Sequence, residues 1–290
     1  MYTPLVADHD GNMSSLSLER GHRCHLHNES FCESVNKSLV VSFWREKSRD
    51  KWLPANILQI FPADYFDHVI MLHDTSNWST HPGFPTFIWI RAINQVRFWY
   101  IKRFLPPQIL RAYKYIWIVD DDAKFTFNPL VYECVMKQLK IPFSSPTRLS
   151  GVAYHKITRQ DNQTQSNIGR WTNFVEIGPV VVGLSSVWQC LWHYILPIVG
   201  AGYGLDFAWC SMIEELCLDK AQNRRACALF DVFGIHHEAE ALSGAGDPPN
   251  DFSAHKRYNS FTVRSKNLGL LADNMQVFNA CSSEIENGLD

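Results

Sequence analysis

The 290-residue chain has no apolar run of the roughly 18–20 residues needed to cross a bilayer, so no membrane span is expected. Its longest apolar-rich piece, Val187 to Val199, is interrupted by Gln189, His193 and Pro197, and reads as a core helix. Charge of either sign is also scarce in excess. Lys and Arg number 27 against 29 Asp and Glu, a formal net charge of −2, with no long basic run. A nucleic-acid protein would show a basic stripe, so nucleic acid is not an expected partner. There is no internal repeat. Met1 to about Lys37 is polar and lacks the apolar core of a secretory signal.

What is present points another way about location. Asn12, Asn28, Asn36, Asn77 and Asn162 each begin an Asn-x-Ser/Thr sequon, more than composition alone would supply. A secretory-pathway lumen is the expected location, with an anchor lost by truncation or a wrong start site. Eight cysteines permit disulfides without requiring them. Cys210, Cys217 and Cys227 are close enough in sequence for one loop-closing bridge, but buried free thiols are expected. Cys24-His25-x-His27…Cys32 matches no usual zinc-finger spacing, and a flexible tail is the better reading.

Strands alternate with helices, which favours an α/β fold with a mostly parallel sheet. Leu39–Trp44 and His68–Leu72 read as strands, and Trp52–Phe61 as a helix. Ile90–Phe104 has helical spacing, and Pro106-Pro107 ends it before a short helix over Gln108–Tyr113. Pro129–Leu139 reads as a helix and 142–172 as a polar, mobile stretch. Phe174–Ile177 and Val180–Val182 read as interior strands, and Ser185 or Ser186 as the cap of the next helix.

The most informative segment is Asp120-Asp121-Asp122, directly after the apolar strand Tyr115–Val119. Three carboxylates at the end of a buried strand are costly unless a cation or several donors neutralise them. Mg²⁺ or Mn²⁺ usually takes one or two protein carboxylates and completes its shell with phosphate and water. The first and third side chains of such a triplet point the same way. The alternative is a solvated acidic turn.

Three further sites accompany it. Gly200-Ala201-Gly202-Tyr203-Gly204 lets the backbone approach a ligand, and Asp206 follows at a helix start, as a cap or as a general base. The run lacks the spacing of a dinucleotide-binding loop. His236-His237 follows an apolar run and offers a neutral imidazole ligand, or a hydrogen-bonded histidine without a metal. Glu176 stands in an apolar strand and needs a partner: a sugar hydroxyl, an arginine behind the site, or a structural ion pair.

At these residues the chain resembles the plant and algal DUF707 family, a domain of unknown function related to GT-A glycosyltransferases. Six segments carry the resemblance in order: Phe98–Leu105, Tyr115–Asp122, Phe174-Val175-Glu176, Val187–His193, Gly202–Asp206 and the region of His237. It covers roughly 38–245. Departures are Asp121 for Glu, Tyr203 for Trp, and Glu238-Ala239-Glu240 for Gln-Gly-Ile, the last altering the loop at His237. The resemblance implies a GT-A-like domain over 38–250, with 1–37 a flexible segment and 251–290 a C-terminal extension. It implies a nucleotide-sugar donor and a glycan, protein or small-molecule acceptor. Asp120, Asp122 and His237 would hold Mn²⁺ or Mg²⁺, and Asp206 would deprotonate the acceptor. Asp121, Glu176, Gly204, Lys102 and Arg103 would contact substrate, though solvated helix charges are the plainer role for the last two. The expected function is a metal-dependent glycosyltransferase. Its alternatives are a non-catalytic binder of sugar or nucleotide, or a metal-dependent nucleotidyltransferase or phosphoester hydrolase.

Overall fold

Leu39-Val40-Val41 and Tyr115–Val119 are apolar at successive positions because both faces of the sheet they build are covered. A computed structural model describes residues 5–6, 37–151, 155–160, 168–195, 202, 204–219, 225–238 and 277–278. Its strands are β1 (Leu5–Val6), β2 (Ser38–Trp44), β3 (Phe66–Leu72), β4 (Ile88–Arg91), β5 (Tyr115–Asp120), β6 (Ala123–Phe125), β7 (Phe143–Gly151), β8 (Gly169–Thr172), β9 (Val180–Leu184), β10 (Cys227–His237) and β11 (Val277–Phe278). Its helices are α1 (Trp52–Ile60), α2 (Arg97–Phe104), α3 (Pro107–Leu110), α4 (Pro129–Gln138), α5 (Ser185–Tyr194) and α6 (Trp209–Met212).

One mixed sheet runs β1-β4-β3-β2-β5-β9-β7-β10-β8-β11, with β6 paired to β10. From β1 to β5 every pairing is parallel. β9 runs antiparallel to both β5 and β7, and β7 and β10 are parallel again. Alternate residues feed two cores. Leu39, Val41, Ile116 and Ile118 pack with Phe98, Ile101, Trp188 and Leu191 of α2 and α5. Val40, Trp44, Trp117 and Val119 pack on the other face with Leu53, Ile57, Tyr132 and Val135 of α1 and α4. Each fully buried aliphatic side chain contributes about 1.5–3 kcal/mol. The expected α/β class, a mixed sheet flanked by helices, is what the chain adopts.

Several elements differ from the sequence reading. Ile90 does not begin a helix: Ile88–Arg91 is a strand on β3, and Asn94 turns the chain at φ 60° before α2. The stretch 142–172 contains two strands, β7 and β8. β7 is polar in sequence yet interior, and two of its serines find partners there, while the Thr147 hydroxyl is buried without one. Ser145 donates to the Val180 carbonyl at 2.8 Å, and the Ser144 and Tyr132 hydroxyls meet at 2.9 Å. Phe174–Ile177 is buried irregular chain rather than a strand. Neither serine caps α5. Leu184 holds the N-cap position, and the Ser185 hydroxyl donates to the Leu110 carbonyl instead. The Cys-His cluster at 24–32 and the C-terminal part of the Val187–Val199 piece lie outside the described residues.

The free-thiol expectation is overturned. Cys190 is bonded to Cys217 and Cys210 to Cys227, joining α5 and α6 to neighbouring chain and to β10; Cys134 is free. The second bridge closes 17 residues of sequence separation. By chain entropy a loop of that size stabilises the fold by about 3 kcal/mol. Replacing both Cys210 and Cys227 with Ala is therefore expected to lower unfolding free energy by about 3 kcal/mol. A denaturant midpoint unchanged from wild type would refute this.

Candidate active site

The chain runs from β2 outward to β3 and β4, then returns to β5 on the other side of β2. The carboxyl ends of β2 and β5 therefore flank a topological switch point, where open α/β sheets leave a crevice for ligands. The three aspartates stand at that end of β5.

Each has a different partner. Asp120 pairs through Oδ1 with Nη2 of Arg97 at 2.6 Å. Asp121 accepts from the Ser48 hydroxyl, on the turn that follows β2, so this contact bridges the crevice. Asp122 turns toward β10, where Nε2 of His237 stands 3.3 Å from its Oδ1. β6 sets that approach, since Ala123 is in register with His237 and the Glu238 amide donates to the Asp122 carbonyl at 2.9 Å. Burial pushes the Asp120 carboxyl up; Arg97 opposes this, and Asp122 and Asp121 add to it. Burial also works against charge on Asp122, yet His237, Arg97 and Lys51 together hold its carboxyl below the ordinary range.

A short strap, residues 176–179, crosses beside these acids. Arg97 donates to the Ile177 carbonyl at 2.9 Å and Arg148 to the Gly178 carbonyl at 2.6 Å. Gly178 fits because a Cβ there would stand 2.5 Å from Oδ2 of Asp120 and 2.9 Å from Nη1 of Arg97. Arg148, 3% exposed, also faces Oε2 of Glu176 at 2.9 Å. That contact is ionic: the oxygen accepts no well-aligned hydrogen bond. Burial raises the Glu176 carboxyl, while Arg148 and, more weakly, His237 draw it down.

Asp206 is the next acid along. It is 7% exposed and lies in a turn before α6, not at a helix N-cap. Its Oδ1 accepts the Phe207 amide at 3.1 Å, and the Gly204 amide helps hold the carboxylate. Gly204 sits at φ 88°, a conformation that glycine adopts without strain. Phe207 packs edge-on to His155 and against Phe174, which fixes the turn. Burial, then the like charge of Glu176, pushes Asp206 up to about 7.

Asp120, Asp122, His237, Glu176 and Asp206 thus form one electrostatically linked strip. Lys102 and Arg103 do not join it. They sit at the C-terminal end of α2, roughly 8–9 Å along the axis from Arg97. The Lys102 ammonium donates to the Trp192 carbonyl at 2.6 Å and lies 3.7 Å over the Trp192 ring, so it packs α2 on α5. Arg103 is exposed. Sequence reasoning missed Arg97 and Arg148, the two cations that neutralise the strip. The only signal for Arg148 was an arginine in a serine- and threonine-rich stretch, and its burial was not visible there.

Two atoms bear on a metal. Oδ1 of Asp122 is buried without a well-formed hydrogen bond, and it faces an imidazole nitrogen. Two ligands of one small cation, each bonded at about 2.1 Å, stand roughly 3 Å apart, so this pair fits a hard divalent ion. Among the described residues no three such side chains converge on one point. Asp120 is engaged by Arg97.

A family model described as "Protein of unknown function (DUF707)" matches residues 27–284. The chain belongs to the DUF707 family. The match takes in every acid and both arginines of the strip in this DUF707 protein. No curated protein matches it. Two solved structures resemble it loosely. Mannosyltransferase PcManGT from Pyrobaculum calidifontis, in complex with GDP-Man and Mn²⁺, is 13% identical, with TM-score 0.46 over 79% of this chain and 65% of that one. S. aureus TarS 1–349 in complex with UDP-GlcNAc is 12% identical, with TM-score 0.44 over 75% of this chain and 63% of that one. The chain spans less than two thirds of either, and 48% of TarS 1–349 in a further crystal structure.

The Asp206 carboxyl makes stability pH-dependent. Its folded value, about 7, lies above the ordinary 3.8, so the folded chain keeps a proton that the unfolded chain releases. The stability linked to that proton is complete below the ordinary value and is lost as pH rises through about 7. Asp206→Asn is expected to flatten the decline in melting temperature over roughly pH 4 to 7. Parallel declines in wild type and variant would count against it.

Proposed function

We propose that this DUF707 protein is a metal-dependent glycosyltransferase that moves a sugar from a nucleotide-sugar donor to an acceptor hydroxyl. One observation carries the reading. The strip joins an acid–histidine pair suited to a hard cation with a separate buried carboxyl poised near neutral pH. General base catalysis works best when the base titrates near the working pH. A GT-A-like arrangement accords with this: the donor diphosphate would enter the crevice at the ends of β2 and β5.

Asp122 and His237 would hold Mn²⁺ or Mg²⁺, with Asp120 beside them and its charge met by Arg97. Such a cation, when bound, offsets negative charge on the departing nucleoside diphosphate. The chain's own residues do the rest. Asp206, oriented by the Phe207 and Gly204 amides, takes the proton from the acceptor hydroxyl. The acceptor oxygen then bonds to the anomeric carbon as the bond to the diphosphate breaks. Glu176 raises the proton affinity of Asp206, and Arg148 opposes the rise that burial imposes on Glu176 itself. Asp121 and Ser48 line the crevice on the donor side. The two disulfides accord with an oxidising compartment, and with the sequons they support a secretory-pathway lumen.

Calorimetric titration with UDP, GDP and their sugars, with and without Mn²⁺, tests the donor half. Nucleotide binding is expected to require the metal, and to weaken at least about tenfold in Asp122→Ala, as metal-ligand losses do. In Asp206→Asn nucleotide affinity is expected to hold while transfer falls about 10²–10⁴-fold, the usual contribution of a general base. A folded protein that binds no nucleotide in either condition would exclude the transferase.

A further inference from the structure

We propose that Asn77 is an N-glycosylation site, and that the loop after β3 is built to display it. The sequon is Asn77-Trp78-Ser79. Asn77 and Ser79 are exposed, while Trp78 between them is 3% exposed. Trp78 is the anchor. Its ring lies 4.8 Å from Trp44 and stacks at 6.4 Å on Trp89. Its indole nitrogen donates to the Ser76 hydroxyl at 2.8 Å, and the Arg49 guanidinium covers its outer face at 4.5 Å. Arg49 also donates to the Asn77 backbone carbonyl. The flanking residues are therefore held to the protein while the asparagine faces outward.

The side chain itself is set for modification. Oδ1 of Asn77 accepts the Ser79 amide at 3.0 Å. That holds the carbonyl half of the side-chain amide against the loop's own backbone and leaves Nδ2 without a bond among the described residues. Asn36 offers a contrast, because its sequon serine, Ser38, is 2% exposed within β2. Asn12, Asn28 and Asn162 lie outside the described residues. The two disulfides, one of them between the fully buried Cys210 and Cys227, belong to the compartment in which this modification occurs.

The co-substrate is a lipid-linked oligosaccharide diphosphate. Nδ2 of Asn77 bonds to C1 of the oligosaccharide, the C1–O bond to the diphosphate breaks, the amide gives up one proton, and the lipid diphosphate departs. The proposal rests on a lumenal location but not on transferase activity. Its failure therefore leaves the active-site reading untouched.

The test uses the full chain purified from the cells that make it. Trypsin digestion after peptide N-glycosidase treatment in heavy-oxygen water marks each formerly glycosylated asparagine as aspartate. The tryptic peptide 52–91 contains a single sequon, at Asn77. That peptide is expected to carry the mark. Ser79→Ala is expected to abolish it with Asn77 intact, and Ser79→Thr to keep it, which separates loss of the sequon from loss of folding. An unmarked 52–91 peptide, recovered without glycosidase, would overturn the proposal. If other sequons were marked, the site would be wrong; if none were marked, the lumenal location would fail with it.

Discussion

Buried negative charge is the constraint around which the site is organised. Asp120, Glu176 and Asp206 are all withdrawn from water, and a buried carboxylate without a partner costs several kcal/mol. Two arginines meet most of that demand. Arg97 binds the Asp120 carboxylate and the Ile177 carbonyl, and Arg148 faces the Glu176 carboxylate and binds the Gly178 carbonyl. Each guanidinium therefore joins an acid to the same short strap. The strap leads directly into β9, whose antiparallel pairing with β5 delivers the first aspartate. Loss of either arginine would strand a carboxylate and a carbonyl together, so the geometry of the acids and the path of the chain stand or fall as one unit.

The sheet's centre was legible in sequence because its strands are predominantly apolar. β2, β3, β5 and β9 needed only hydrophobicity and β-branching to be seen. What escaped was structure whose stability comes from pairing. β7 is Phe-Ser-Ser-Pro-Thr-Arg-Leu-Ser-Gly, and its interior position depends on hydroxyls that find partners in α4 and β9. No local pattern encodes those partners. β4 was absorbed into a helix because Ile90 and the apolar residues of α2 happen to fall at helical spacing. The left-handed turn at Asn94 separates them, and asparagine is a weak signal for such a turn.

The same division holds at the site. The acids were legible, since carboxylates beside apolar strands or glycines advertise an unusual environment. Their partners were not. Arg97 read as one cation among several on an aromatic helix, and Lys102 and Arg103 looked equally eligible. Only the fold shows that the N-terminal cation of α2 faces β5 while the later two pack on α5 or face outward. The disulfides were hidden in the same way. Sequence separation made a bridge among Cys210, Cys217 and Cys227 plausible, but Cys190 is drawn in because α5 lies against the turn that carries Cys217.

The three aspartates have three different partners, which divides the charge among them. Three adjacent carboxylates cannot all be ionised at one point without a strong cation, and the fold keeps them from trying. Asp120 is neutralised by a guanidinium and Asp121 is tied to a hydroxyl across the crevice. Asp122 alone keeps a buried oxygen without a good donor, opposite a histidine. Asp206 lies outside this triplet, and Glu176 is the acid that shifts it. Burial and the like charge of Glu176 raise its proton affinity, and the Phe207 and Gly204 amides oppose that rise.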